Sequence, residues 1–96
     1  MLTEHGVSVS DVSDRLAVVV RDHGYGYGSL FQILGRTQLN KLMSVFAERQ
    51  GGGVDAWKFI FRPEFGRGVE LKGTDTPRDI GIPDGGVIDA MVRAGI

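Results

Sequence analysis

Between Thr37 and Gln50 the apolar residues Leu39, Leu42, Met43 and Phe46 stand at i, i+3, i+4 and i+7. That spacing places them on one stripe of an α-helix. On either side the pattern changes to alternation. Phe31 and Ile33 share one face of 29–34, and Trp57, Phe59 and Phe61 share one face of 57–61, as side chains of a strand do at period 2. One helical stripe among alternating segments restricts the chain to α+β folds in which the helix lies across a sheet.

The remaining segments fill out that plan. Leu16–Arg21 is β-branched and short, and the Gly-rich 22–28 after it turns the chain into the second strand. Thr37 is read as the N-cap of the helix, and Gly51, Gly52 and Gly53 as its left-handed stop. Phe65–Gly68 reads as a turn and Val69–Leu71 as a short strand. Thr76–Gly81 reads as one tight helical turn with Pro77 pre-set at its start. Pro83-Asp84-Gly85-Gly86 is a turn signal, and Val87–Val92 gives a last strand with Ile88 and Ala90 inward. The order is ββαβ, short strand, turn, β. Residues 1–14 bury little and are expected to form a flexible arm, which leaves 15–96 as a single domain.

Composition excludes several function classes. The 96 residues include no Cys, so a disulfide framework, thiolate-bound zinc and thiol nucleophiles are ruled out. Eleven Lys and Arg are scattered among twelve Asp and Glu, without the basic footprint of a nucleic-acid binder. No stretch approaches the ~20 apolar residues of a membrane span, and no secretory signal is visible. His5 and His23 have no partners suggestive of a triad or a metal site. Gly24–Gly28 joins two strands and does not open a helix, so it is not a dinucleotide loop. Asp75 and Asp79 lack a cleft that would shift their pKa values for acid-base work. No catalytic residue, metal or cofactor is expected.

The order, with first and last strands side by side, is that of the ubiquitin-like β-grasp, a mixed four- to five-stranded sheet with one main helix across it. More specifically, FQILGRTQLNKLMSVFAERQG resembles the second strand and helix of SUMO, through Leu39, Lys41, Leu42, Arg49, Gln50 and Gly51. Lys58-Phe59-Ile60-Phe61 is similar to that family's third strand, and DTPRDIGIPDGGVID to its ending, through Thr76, Pro77, Gly81, Val87, Ile88 and Asp89. The resemblance spans about residues 15–93. Two features depart from it. The chain ends Arg93-Ala94-Gly95-Ile96 without the Gly-Gly tail of a conjugated modifier, and the connection Arg62–Gly68 is a few residues longer.

The resemblance implies a protein-interaction domain and two candidate surfaces. One is a peptide groove made from Phe31, Ile33, Leu34, Leu42 and Val45, with Lys41 and Arg49 available to acidic flanks. There a partner peptide would add a strand. The other gathers Asp75, Asp79, Gly81, Asp84 and Gly85, where SUMO and its non-conjugated relatives meet the SUMO-conjugating enzyme. Ordinary turn chemistry explains the same Asp and Gly residues, and core packing explains Phe31, Ile33 and Leu42. A monomeric, non-conjugated SUMO-like domain binding SUMO-pathway proteins is the leading expectation, with nuclear placement favoured over cytoplasmic. A covalent modifier or its precursor, and a scaffold that dimerises through its strand edge, are the alternatives.

Overall fold

In the structure, a computed structural model describing residues 14–24 and 28–93, the alternating segments form one sheet and the helical stripe covers it. The strands are β1 (Arg15–Asp22), β2 (Gly28–Leu34), β3 (Trp57–Phe61), β4 (Val69–Glu70) and β5 (Val87–Val92); the helices are α1 (Asn40–Arg49) and the one-turn α2 (Pro77–Ile80). Sheet order is β2-β1-β5-β3-β4. β1 and β5 are central and parallel, with Val20 opposite Ile88, and the other pairings are antiparallel. The sheet is therefore mixed, with first and last strands adjacent. Residues 1–13 of the expected arm lie outside the described residues. Asp14, its last residue, pairs with Arg78 at 2.6 Å, lies 3.7 Å from Arg36, and accepts the Gly35 N–H on its carbonyl at 2.8 Å.

The core is where the two periodicities meet. Leu39, Leu42, Met43 and Phe46 are all buried, as are Val18, Val20, Trp57, Phe59, Phe61, Ile88 and Ala90. Phe46 meets Trp57 and Phe59 edge to face, with ring centroids 5.1 and 5.8 Å away, an arrangement that sets ring edges against the negative π-faces.

The helix begins later than Thr37. Its N-cap is Leu39, with no side-chain cap. The N–H groups of Leu39 and Asn40 donate to the carbonyls of Asp75 (2.8 Å) and Gly73 (3.0 Å) instead, while the Thr37 N–H closes a turn on the Leu34 carbonyl at 3.0 Å. A distant loop thus satisfies donors that a local hydroxyl would otherwise take. The other end follows expectation. Gly51 stands at φ +87°, Gly51 N–H donates to the Glu48 carbonyl and Gly52 N–H to that of Ala47, both at 3.1 Å, which is a Schellman stop.

The short elements also form. Thr76 Oγ1 accepts the Asp79 N–H at 3.1 Å, Pro77 opens α2, and Gly81 closes it at φ +90°. The expected strand 69–71 is shorter by one residue, although Leu71 still donates to the Phe59 carbonyl at 2.8 Å and is buried. A 3-10 turn at Val54–Ala56, which no pattern in the sequence announces, links the Gly run to β3.

Candidate protein-binding site

β2 is the outermost strand on its side of the sheet, and among the described residues nothing pairs with its outer edge. Which backbone groups it presents follows from β1. Val19 and His23 donate to the carbonyls of Gly86 and Ala90 at 2.9 Å each, and the Ala17 N–H donates to Asp84 Oδ1 at 2.7 Å, so the odd residues of β1 turn their backbone groups toward β5. Leu16, Val18 and Val20 must turn theirs toward β2, where they stand opposite Ile33, Phe31 and Ser29. Alternation then leaves the backbone groups of Leu30, Gln32 and Leu34 aimed at the free edge. Of these, the Leu34 carbonyl is taken by Thr37.

Beside that edge runs a groove of about 360 Å³ between β2 and α1, lined by Phe31, Gln32, Ile33, Leu34, Thr37, Lys41, Leu42 and Val45. Six of the seven residues read from the sequence as a groove thus come together here. The seventh, Arg49, lies one turn along the helix, its guanidinium 5.1 Å from the centre of the Phe31 ring, within range for a cation-π contact. Gln32 and Thr37 complete the lining and were not read from the sequence as groove residues, since their polar side chains carry no periodic signal. Phe31 and Ile33 are half-buried, Leu42 is buried and Val45 is exposed, so the groove has a fixed apolar floor and an accessible wall.

The second predicted surface has a different character. Asp75 Oδ2 accepts the Lys72 N–H at 2.8 Å, and Asp84 Oδ1 accepts that of Ala17. Both carboxylates are engaged by backbone, which is the turn chemistry of short acidic side chains. Asp79 is exposed. Gly81 and Gly85 stand at φ +90° and +86°, with no atom within 4 Å of where a Cβ would lie, so their backbone can be approached closely.

A larger hollow, about 610 Å³, lies between α1, β3 and β4, with Met43, Trp57, Phe59 and Leu71 in its lining. Arg93 bridges at its rim to Glu70 at 3.0 Å. It is the less suitable of the two for an extended chain, because the adjoining edge strand β4 has only two residues and offers almost no ladder. Among the described residues no group of three or more His, Asp or Glu is placed to hold a metal ion, and no helix is long and apolar enough to cross a membrane.

One feature of the sheet was not legible in sequence. Asp89, on the face away from α1, is buried, and it accepts from Arg21 Nε (3.0 Å) and Nη2 (2.8 Å) on one oxygen and from Arg62 Nη1 (2.5 Å) on the other. The sequence places Asp89 between the inward Ile88 and Ala90, hence on the outer face; only the fold shows that two arginines close over it.

Known proteins bear on this geometry. The family described as Ubiquitin-2 like Rad60 SUMO-like matches residues 17–92, which takes in both helices and all of the strands except the first two residues of β1. Small ubiquitin-related modifier 3 of Arabidopsis thaliana is 39% identical over 61 residues, 64% of this chain and 50% of that protein. Small ubiquitin-related modifier 2 of the same plant is 36% identical over 63 residues, 66% of this chain and 56% of that protein. The matched region thus spans about half the length of these relatives. Among solved structures, Caldiarchaeum subterraneum ubiquitin superposes with a TM-score of 0.70 at 13% identity, covering 84% of this chain and 96% of that one, which shows the ubiquitin-like fold. With a family model matching most of its length, the chain belongs to the Ubiquitin-2 like Rad60 SUMO-like family.

Proposed function

We propose that this domain works by binding proteins, not by catalysis, and that its principal binding element is the β2 edge with the groove beside α1. A partner segment lies extended along β2, pairs with the backbone groups of Leu30 and Gln32 and with the Leu34 N–H, and sets alternate apolar side chains over Phe31, Ile33 and Leu42. Backbone pairing supplies affinity and the groove supplies selectivity. The observation that carries this reading is the coincidence of a seven-residue strand edge, unpaired among the described residues, with a largely apolar groove directly beside it. Lys41 and Arg49 at the rim favour partners with acidic residues flanking the apolar core.

The second surface supports a further reading, docking of a SUMO-conjugating enzyme without the domain itself being conjugated. Exposed Asp79 and the accessible backbones of Gly81 and Gly85 suit a basic partner approaching closely. It is the weaker of the two, because the carboxylates of Asp75 and Asp84 are already engaged within the fold.

A residue-resolved amide-shift titration separates the two. The labelled domain is titrated with an apolar peptide bearing acidic flanks, and separately with the conjugating enzyme. Shifts along Phe31–Leu34 and at Arg49 with the peptide are expected. Shifts confined to Asp79, Gly81 and Asp84 with the enzyme, and none with the peptide, would move the function to the second surface.

A further inference from the structure

Phe65 stands in the connection between β3 and β4, residues 62–68, and it is 84% exposed, the most exposed of the large hydrophobic side chains described. The loop is held at its base and turned at its tip. A Cβ on Gly68 would come within 3.0 Å of Ile60 Cγ2, so the returning chain lies directly on β3, while Gly66 stands at φ +107°, next to Phe65. Glu64, the preceding residue, is exposed and takes part in no ion pair among the described residues. The result is an aromatic knob with a carboxylate beside it. An aromatic side chain of this size contributes most when it leaves water for a pocket.

The β2/α1 groove has the complementary chemistry. Its lining is mostly apolar, and Lys41 at its rim likewise makes no ion pair among the described residues. Knob and groove do not meet within one molecule: Phe65 is exposed. In the order β2-β1-β5-β3-β4 three strand spacings separate β2 from β3, about 14 Å at ~4.8 Å each, and the loop springs from the far end of that row.

We propose that the groove accepts the Glu64-Phe65 loop of a second copy of this chain, with the Phe65 ring over Phe31, Ile33 and Leu42 and the Glu64 carboxylate against Lys41. The inference rests on the reading of the groove as a protein-binding site and names a partner for it. The contact is heterologous: each copy offers a knob on one side and a groove on the other, so copies join head to tail and both ends of an array stay open. One loop in one groove is a small interface and gives weak association.

Sedimentation equilibrium tests it over about 10 μM to 1 mM, where small interfaces associate. The expected result is a mass that climbs past twice that of one chain without levelling at a dimer. Phe65→Ala removes the knob and Val45→Glu blocks the groove; both positions are exposed, and thermal melts matching the unmodified protein establish that each variant folds. Each alone is expected to keep the mass of one chain at every concentration. Their equimolar mixture is expected to stop at two chains, since one supplies only a groove and the other only a knob. Glu64→Lys, a second knob-side change, is expected to weaken association at least several-fold.

A one-chain mass for the unmodified protein throughout, unaltered association in Phe65→Ala, or no complex in the mixture of two folded variants would each overturn the proposal. An apolar peptide with acidic flanks titrated onto Phe65→Ala distinguishes the levels of failure. Binding there, with no self-association of the unmodified chain, discards this partner and keeps the groove; absence of both discards the groove reading as well.

Discussion

Phe46 shows how much of this fold a single side chain carries. It is 1% exposed and is the only residue of α1 recorded edge to face with two rings of β3, Trp57 and Phe59. Its replacement by Ala removes both aromatic contacts and leaves a cavity, at a cost of about 3–5 kcal/mol. In a domain of this size each kcal/mol lowers the melting temperature by roughly 4–8 °C, so a calorimetric melt of Phe46→Ala is expected to fall by well over 10 °C or to show no cooperative transition. Asp89 is a different case. It is buried, but its two guanidinium partners are each about half exposed, so water screens much of the attraction. Asp89→Asn keeps one acceptor, loses the charge, and is expected to cost about 1–2 kcal/mol in urea denaturation.

At the scale of elements, local rules and tertiary rules divide the ends of α1 between them. The stop at Gly51 was legible in sequence because a left-handed residue is a local requirement that glycine meets best. Gly51→Ala is expected to destabilise by about 1 kcal/mol, measured as a lowered denaturation midpoint with an unchanged slope. A Cβ there meets no atom within 4 Å, so backbone strain alone sets the cost. The start was not legible. Thr37 carries the right chemistry for an N-cap, but Leu39 and Asn40 find their acceptors at Asp75 and Gly73, more than thirty residues away. Spacing along the chain carries no trace of that contact. By contrast Thr76, Pro77 and Gly81 sit within six residues and form the capped turn their types require. Strand and helix identities were readable throughout because the apolar faces repeat at 2 or at 3.6, while β4 lost one residue and Val54–Ala56 gained a turn where no period exists.

The fold places one continuous apolar seam under α1 and leaves β2 as its long edge, open among the described residues. The groove beside that edge was legible as a set of residues, since Phe31, Ile33, Leu42 and Val45 come from the same two periodic segments that build the core. Its openness was not, because the same residues would read identically if another strand covered them. The acidic turn surface was legible only as composition; the structure shows that Asp75 and Asp84 spend their carboxylates on backbone donors, a use that sequence alone does not distinguish from a docking face. The central claim is that a partner chain is added to β2 as a strand. Amide hydrogen exchange of the domain with and without an apolar, acid-flanked peptide tests it most directly. Slowed exchange at Leu30, Gln32 and Leu34, with Phe31 and Ile33 already protected by β1 and unchanged, is the expected alternating pattern; unchanged exchange at those three residues under saturating peptide would contradict strand addition.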